Sequence, residues 1–537
     1  METMTKFNKH LLIAAVTTLS VISANAREKY GNVFRSAAPE KVMAGCSPAQ
    51  SSAELSVNNV RTLIFSGSDM WWDLFGGGNP RYGVPKVPDW SKQASSNFAG
   101  NVWFGGLDVG GQLKIAAQTY RQGGVDFWTG PLSTVDATTT SDQCQKYDKI
   151  FRLTRAEVDE FVLAGGPITP AIKDWPGNGD ISLNHAQVLA PFVDLNGDDV
   201  YSPVEGDYPY YDVYNTGAKD NLGVCKARVF GDETLWWVYN DNGNNHIATG
   251  GKAIGMEIRA QAFAFKTTDE INNMTFYNYQ LVNRSSFALL NTYLTVWTDA
   301  DLGYYLDDYI GCDVKRGLGY IYNSIGPDPS VQGTIGYGAY VPALGCDFFQ
   351  GPLDDPNNGV DADNDGTTDE AGEQMGMTKF LYFSNSFPGV PLQMTDPDNA
   401  AQYYQYMTGF WKDGTPFTCG GNAYGGSIPT SFVYPGDSDP TGPCGIWSES
   451  GTAGDRRFMQ SSGPFSLQPG AVNYITVGLP WARTTSTDPK ASVPLLKIAD
   501  DKAQALFDNC FRVLSGPEAP DMTIQEMENE LIIYLSN

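Results

Sequence analysis

"GMEIRAQAFAFKTTDEINNMTFYNYQLVNRS", residues 255–285, carries the pattern that decides the fold. Ile258, Ala260, Ala262 and Ala264 repeat with period two, which places them on one face of an extended strand. A polar, turn-forming stretch follows, and then a second run rich in aromatic and β-branched residues. Flanking segments repeat the theme: "ARVFGDETLWWVYNDN" at 227–242 and "NTYLTVWTDADLG" at 291–303. Turn signals spaced by about 10–15 residues favour a large antiparallel sandwich over βαβ units.

Further out, "NVWFGGLDVGGQLKIAAQ" (101–118) alternates around a Gly110-Gly111 hairpin. Trp71, Trp72, Trp103 and Trp128 are the anchors such a sheet would bury. "RRFMQSSGPFSLQPGAVNYITVGLPWAR" (456–483) reads as a strand pair turning at Pro469-Gly470 that closes the unit. The 58 glycines, 32 prolines and 12% aromatic content agree with strands joined by many turns. Helices are expected in two places. Thr154 and Glu157 form a capping box ahead of "EFVLA". Near the end, Ser492 is placed as the N-cap of a helix with Leu495, Ala499, Ala503, Leu506 and Cys510 on one stripe, and "TIQEMENELIIYLSN" (523–537) opens with a second capping box at Thr523 and Glu526. The expected organisation is a signal peptide at 1–26, a β-rich region with a short helix and an acidic loop at 27–225, an antiparallel sandwich with an acidic insertion at 226–490, and C-terminal helices at 491–537.

The leader assignment rests on Lys6 and Lys9 before an apolar run from Leu11 to Ala24, followed by the small-x-small triplet Ala24-Asn25-Ala26. The apolar run is shorter than the roughly 20 residues of a membrane-spanning helix, and no other stretch approaches that length. An exported protein without a transmembrane segment is the expectation, secreted or held on the outer cell surface. Formal net charge is −26, a field that repels nucleic acid and anionic membranes and attracts divalent cations. Eight cysteines in an oxidising compartment suggest up to four disulfides. Short loops favour Cys419 with Cys444 and Cys312 with Cys346.

Three acidic clusters are candidate calcium sites. "DLNGDDVYSPVEGD" (194–207) places Asp194, Asn196 and Asp198 at positions 1, 3 and 5, the Val200 carbonyl at 7 and Glu205 at 12 of a calcium loop. Position 6 is Asp199 instead of glycine. Pro191, Pro203 and Pro209 deny the loop the helices of an EF-hand, so it suits a staple and not a sensor. "GVDADNDGTTDEAGE" (359–373) offers Asp361, Asp363, Asp365, the Thr367 carbonyl, Asp369 and Glu370; carboxylates packed so closely repel one another without a cation. A third cluster, Asp299, Asp301, Asp307 and Asp308 in "WTDADLGYYLDDYIGCD", matches no standard loop and reads either as a composite metal site at a sandwich edge or as a turn with solvated acids.

Catalytic signatures are missing. H-E-x-x-H, G-x-S-x-G and G-x-x-x-x-G-K-[ST] do not occur. Of the three histidines, His185 and His246 lie beyond the leader and are expected on the surface or in loops. A glycosidase needs only two carboxylates, and composition does not localise such a pair.

Four segments together resemble a family of large exported proteins of the Bacteroidota: "WFGGLDVGGQLKIAAQTYRQGGVDFWTGPL" (103–132), "FAFKTTDEINNMTFYNYQLVNRSS" (263–286), "WTDADLGYYLDDYIGCD" (297–313) and "SGPFSLQPGAVNYITVGLPWAR" (462–483). The resemblance implies export associated with type IX secretion, but no activity. Family members usually end in a C-terminal sorting domain, and none is expected within residues 1–537. The acidic run at 361–370 is similar to the calcium turns of thrombospondin type 3 repeats. The expectation is a calcium-stabilised surface protein with a structural, adhesive or binding role, its partners surface polysaccharide or other cell-surface proteins and its oligomeric state left open. The alternative is a polysaccharide-binding module or glycoside-acting enzyme with acids near Trp236, Trp237 or Trp297.

Overall fold

The strand Met256–Ala264 sits inside an antiparallel sheet between Glu233–Asn240 and Thr275–Asn283. In the computed structural model, which describes residues 45–212, 226–331, 333–362, 367–369, 372–386, 389–512, 521–527 and 530–536, this sheet has ten strands. It continues through Val472–Leu479, Pro342–Gln350 and Leu318–Asn323 to Asp308–Asp313. Trp128–Thr129 and Phe151–Thr154 both pair with the far side of Glu233–Asn240. The expected leader lies outside the described residues.

A second, five-stranded sheet runs Lys379–Ser384, Arg456–Leu467, Leu289–Ala300, Ala99–Leu107, Leu113–Ala116, antiparallel throughout. The two sheets enclose one core, in which Phe104 meets Phe127 and Phe127 meets Tyr239. The fold is a mainly β, antiparallel sandwich. Every residue of Met256–Ala264 is buried, not just alternate ones, because a third layer covers the other face. There Phe263, Phe276 and Phe349 pack beneath Leu496, Ala499, Ala503 and Phe507 of the helix Ser492–Asp508. Strands from both sides of residue 225 share both sheets.

The Gly110-Gly111 hairpin forms as expected, with Leu107 opposite Leu113. The helix Arg155–Ala164 carries both bonds of its capping box. The turn at Pro469-Gly470 differs from expectation. Arg456–Leu467 belongs to one sheet and Val472–Leu479 to the other, so the turn is a corner of the sandwich and not a hairpin. Alternation reads the same whether successive strands pair or face each other across a core. The chain makes a matching corner after Asn283, whose Nδ2 donates to the Phe287 carbonyl at 3.0 Å and the Leu467 carbonyl at 2.9 Å.

Other expectations are corrected. Ser492 opens its helix without capping it, because its hydroxyl donates to the Val341 carbonyl and accepts from Thr484 N–H. The buried stripe runs through Leu496, Ala499, Ala503 and Phe507, and Leu495 is exposed. "TIQEMENELIIYLSN" falls in a β-hairpin of Asp521–Met527 and Glu530–Ser536 instead of a helix. Consecutive β-branched and aromatic residues at 532–534 outweigh the capping box.

Cys419 and Cys444 are bonded as expected, and Cys46 pairs with Cys144. Cys312 and Cys346 are free and buried. Both stand opposite Gly319, from strands on either side of it, which sets them about 10 Å apart and beyond disulfide reach. Cys510 is also disulfide-bonded, and Cys225 lies outside the described residues. Both histidines are buried in their loops rather than exposed.

Candidate metal centre and cleft

The 194–207 loop closes a small ribbon, Phe192–Val193 paired with Tyr208–Pro209, so strands stand where an EF-hand has helices. Asp194 accepts the Gly197 and Asp199 amides at 2.7 Å each, and these bonds, led by that from Asp199, hold its carboxyl below the ordinary range against the opposing effect of burial. Asn196 Nδ2 reaches Asp198 at 3.2 Å and Glu205 at 3.3 Å, so positions 3, 5 and 12 converge. Asp199 has φ +60°, the left-handed conformation for which position 6 of a calcium loop normally carries glycine. Val200 is exposed, and its amide donates to Asp198.

Of the second cluster, Asp363, Asp365 and Glu370 lie outside the described residues. Asp369, at φ +62°, accepts the Gly359 amide at 3.0 Å. Asp361 and Thr367 stand on either side of the segment 363–366.

The third cluster divides. Asp308 accepts the Leu302 amide at 3.1 Å, and Asp307 accepts Asn323 Nδ2 at 2.9 Å. Burial and neighbouring Asp328 push Asp307 up to about 7. Asp299 and Asp301 instead meet Asp455, which the sequence did not single out: one carboxylate oxygen from each lies within 4.8 Å of the others. Strand register explains the meeting. Asp299 is opposite Arg457, and Ala300 opposite Arg456, so one step further Asp301 faces Asp455. Period two then puts all four side chains on one face of the five-stranded sheet, the face that carries Trp297 and is turned away from the ten-stranded sheet.

These groups line a cleft of about 900 Å³, together with Tyr120, Tyr305, Asp396 and Asp398. Arg457 Nε donates to the Tyr120 hydroxyl at 2.9 Å, and that hydroxyl donates to Asp299 Oδ2 at 2.5 Å. Arg457 also pairs with Asp455, whose other oxygen accepts Asn385 Nδ2 at 3.0 Å. Burial pushes Asp299 and Asp301 well up; Arg457 opposes this at both groups, whereas Asp455 adds to it. Like charges this close do not all ionise without a compensating cation. Asp455, Arg457 and Tyr120 carry no local signature: "GDRRF" and "QTYRQ" are ordinary strand-edge and turn sequence, and only pairing brings them to Asp299.

Ten of the twelve tryptophans are buried, including Trp236, Trp237 and Trp297. Trp103 and Trp297 stack at 5.9 Å between ring centroids. Trp236 lines a smaller hollow of about 500 Å³ on the outer face of the ten-stranded sheet, floored by Arg259, Gln261, Asn278 and Gln280. Among the described residues, no helix is long and apolar enough to cross a membrane. The chain matches no protein-family model and no curated protein.

Proposed function

We propose that this is an exported, calcium-stabilised β-sandwich protein with a structural or adhesive role at the cell surface, in which cations and disulfides staple long loops. The observation that carries the reading is the 194–207 loop: Asn196, Asp198 and Glu205 converge, and Asp199 takes the left-handed turn, on a ribbon with no helices to relay an opening motion. Disulfide bonds support export, and the class rests on the resemblance of four sequence segments to those of large exported Bacteroidota proteins. Thermal unfolding with calcium against EDTA tests it. Chelation is expected to lower the melting temperature, and an unchanged value in wild type overturns the staple. A glycan array on the same protein tests the partner class, surface polysaccharide.

A second reading, polysaccharide binding or glycoside chemistry, is favoured by the acid-lined cleft. Of the tryptophans it called on, Trp237 and Trp297 are in the core and Trp236 lines the other hollow, so in this cleft its sugar-facing groups would be Tyr120 and Tyr305.

A further inference from the structure

We infer that the cleft at the end of the five-stranded sheet is a second, separate divalent-cation site, formed by Asp299, Asp301 and Asp455 and suited to calcium. Three observations carry this beyond a gathering of acids. The first is size. Calcium takes oxygen ligands at about 2.3–2.6 Å, so two ligands of one ion are at most about 5 Å apart, and one oxygen from each of the three carboxylates lies within 4.8 Å of the others.

The second is an unsatisfied acceptor. Asp299 is only 2% exposed, and its Oδ1 accepts no hydrogen bond. Its nearest charged neighbour is Arg457 Nε at 3.3 Å, but the single hydrogen of that nitrogen is directed to Tyr120. A buried carboxylate oxygen without a donor costs folding free energy unless something else meets it. A cation bound from the cleft does so. Arg457 and Tyr120 then act as positioning groups that fix the Asp299 carboxylate.

The third is access. Asp301 is half-buried and lines the cleft, so an ion can enter from solvent and keep coordination positions open toward the cavity. A calcium shell of six to eight oxygens leaves room for Asp396, water or a ligand's hydroxyl groups. This inference rests on the cleft alone and stands whether or not the 194–207 loop takes an ion.

The experiment counts calcium ions bound per full-length chain by isothermal titration after EDTA stripping, comparing wild type, Asp301→Asn and Asp198→Asn. Asp301→Asn is expected to remove one calcium ion while leaving the ion lost in Asp198→Asn in place, and its melting temperature in EDTA is expected to equal or exceed that of wild type, since one of three repelling carboxylates is neutralised. Equal calcium counts in wild type and Asp301→Asn overturn the inference. Should Asp301→Asn fail to fold, terbium luminescence of wild type excited through Tyr120 and Tyr305 reads the same site, and calcium-displaceable emission that is absent, or not lowered in Tyr305→Phe, overturns it as well. Loss of an ion in Asp301→Asn with none lost in Asp198→Asn would keep the cleft and refute the staple.

Discussion

His246 should be a charged imidazolium at neutral pH, buried in its loop, and its removal should flatten the protein's alkaline instability. Nδ1 lies 2.8 Å from the Ile115 carbonyl and Nε2 lies 2.5 Å from the Asp241 carbonyl. Both acceptors are carbonyl oxygens, so both ring nitrogens must carry hydrogen. Asp126 and Asp241 stand 3.4 and 3.8 Å from those nitrogens, and Asp241 is fixed by the amides of Ile254, Gly255 and Met256. Burial opposes the charge, but Asp126 and then Asp241 outweigh it and hold the group to about 9. The folded pKa is raised, so the stabilisation is fully present below about 6.5 and is lost as pH rises through 9. The interval corresponds to about 3 kcal/mol, or about 1.4 kcal/mol per pH unit. Urea unfolding of wild type and His246→Gln between pH 6 and 10 reads it. The variant should be less stable by about 3–5 kcal/mol near neutrality, having left two carboxylates uncompensated, and should lose less stability from pH 7 to 9. Parallel pH dependences for the two proteins would refute the charged imidazolium.

Further outcomes follow from other sites. Glu257 is fully buried; burial works to raise it, and the guanidinium groups of Arg284 and Arg259 overcome this and hold it near 2. Its stabilisation is present above about 4.5 and lost as pH falls toward 2, about 3 kcal/mol, so Glu257→Gln should show a shallower acid unfolding profile than wild type. The Cys46–Cys144 bridge spans 98 residues and Cys419–Cys444 spans 25; loop closure gives about 5 and about 3.5 kcal/mol, so the double serine variant of the longer bridge should have the lower urea midpoint. A Cβ on Gly100 would overlap the Trp71 ring, and Gly100→Ala should cost about 3 kcal/mol by overpacking in the same assay.

Much of the fold was legible because it is written locally. Ile258 to Ala264, the Gly110-Gly111 turn and the Thr154 capping box each need only neighbouring residues to act. The helix expected at 523–537 failed because a capping box is worth little against consecutive residues that favour strands. Disulfide pairing by loop length succeeded for Cys419 and Cys444, where the chain is short and irregular. It failed for Cys312 and Cys346, where an intervening strand holds the two apart.

The sequence by itself determined the class of the protein: period-two alternation buries one face of each strand, and that preference belongs to the residues. Which strands pair was decided by the tertiary structure, since alternation is the same for a hairpin and for a corner between sheets. The acidic cleft shows the consequence. Asp299 and Asp301 are two residues apart and visible as a pair, whereas Asp455 joins them from more than 150 residues away. Only the register of Leu289–Ala300 against Arg456–Leu467 brings that third carboxylate within 4.8 Å.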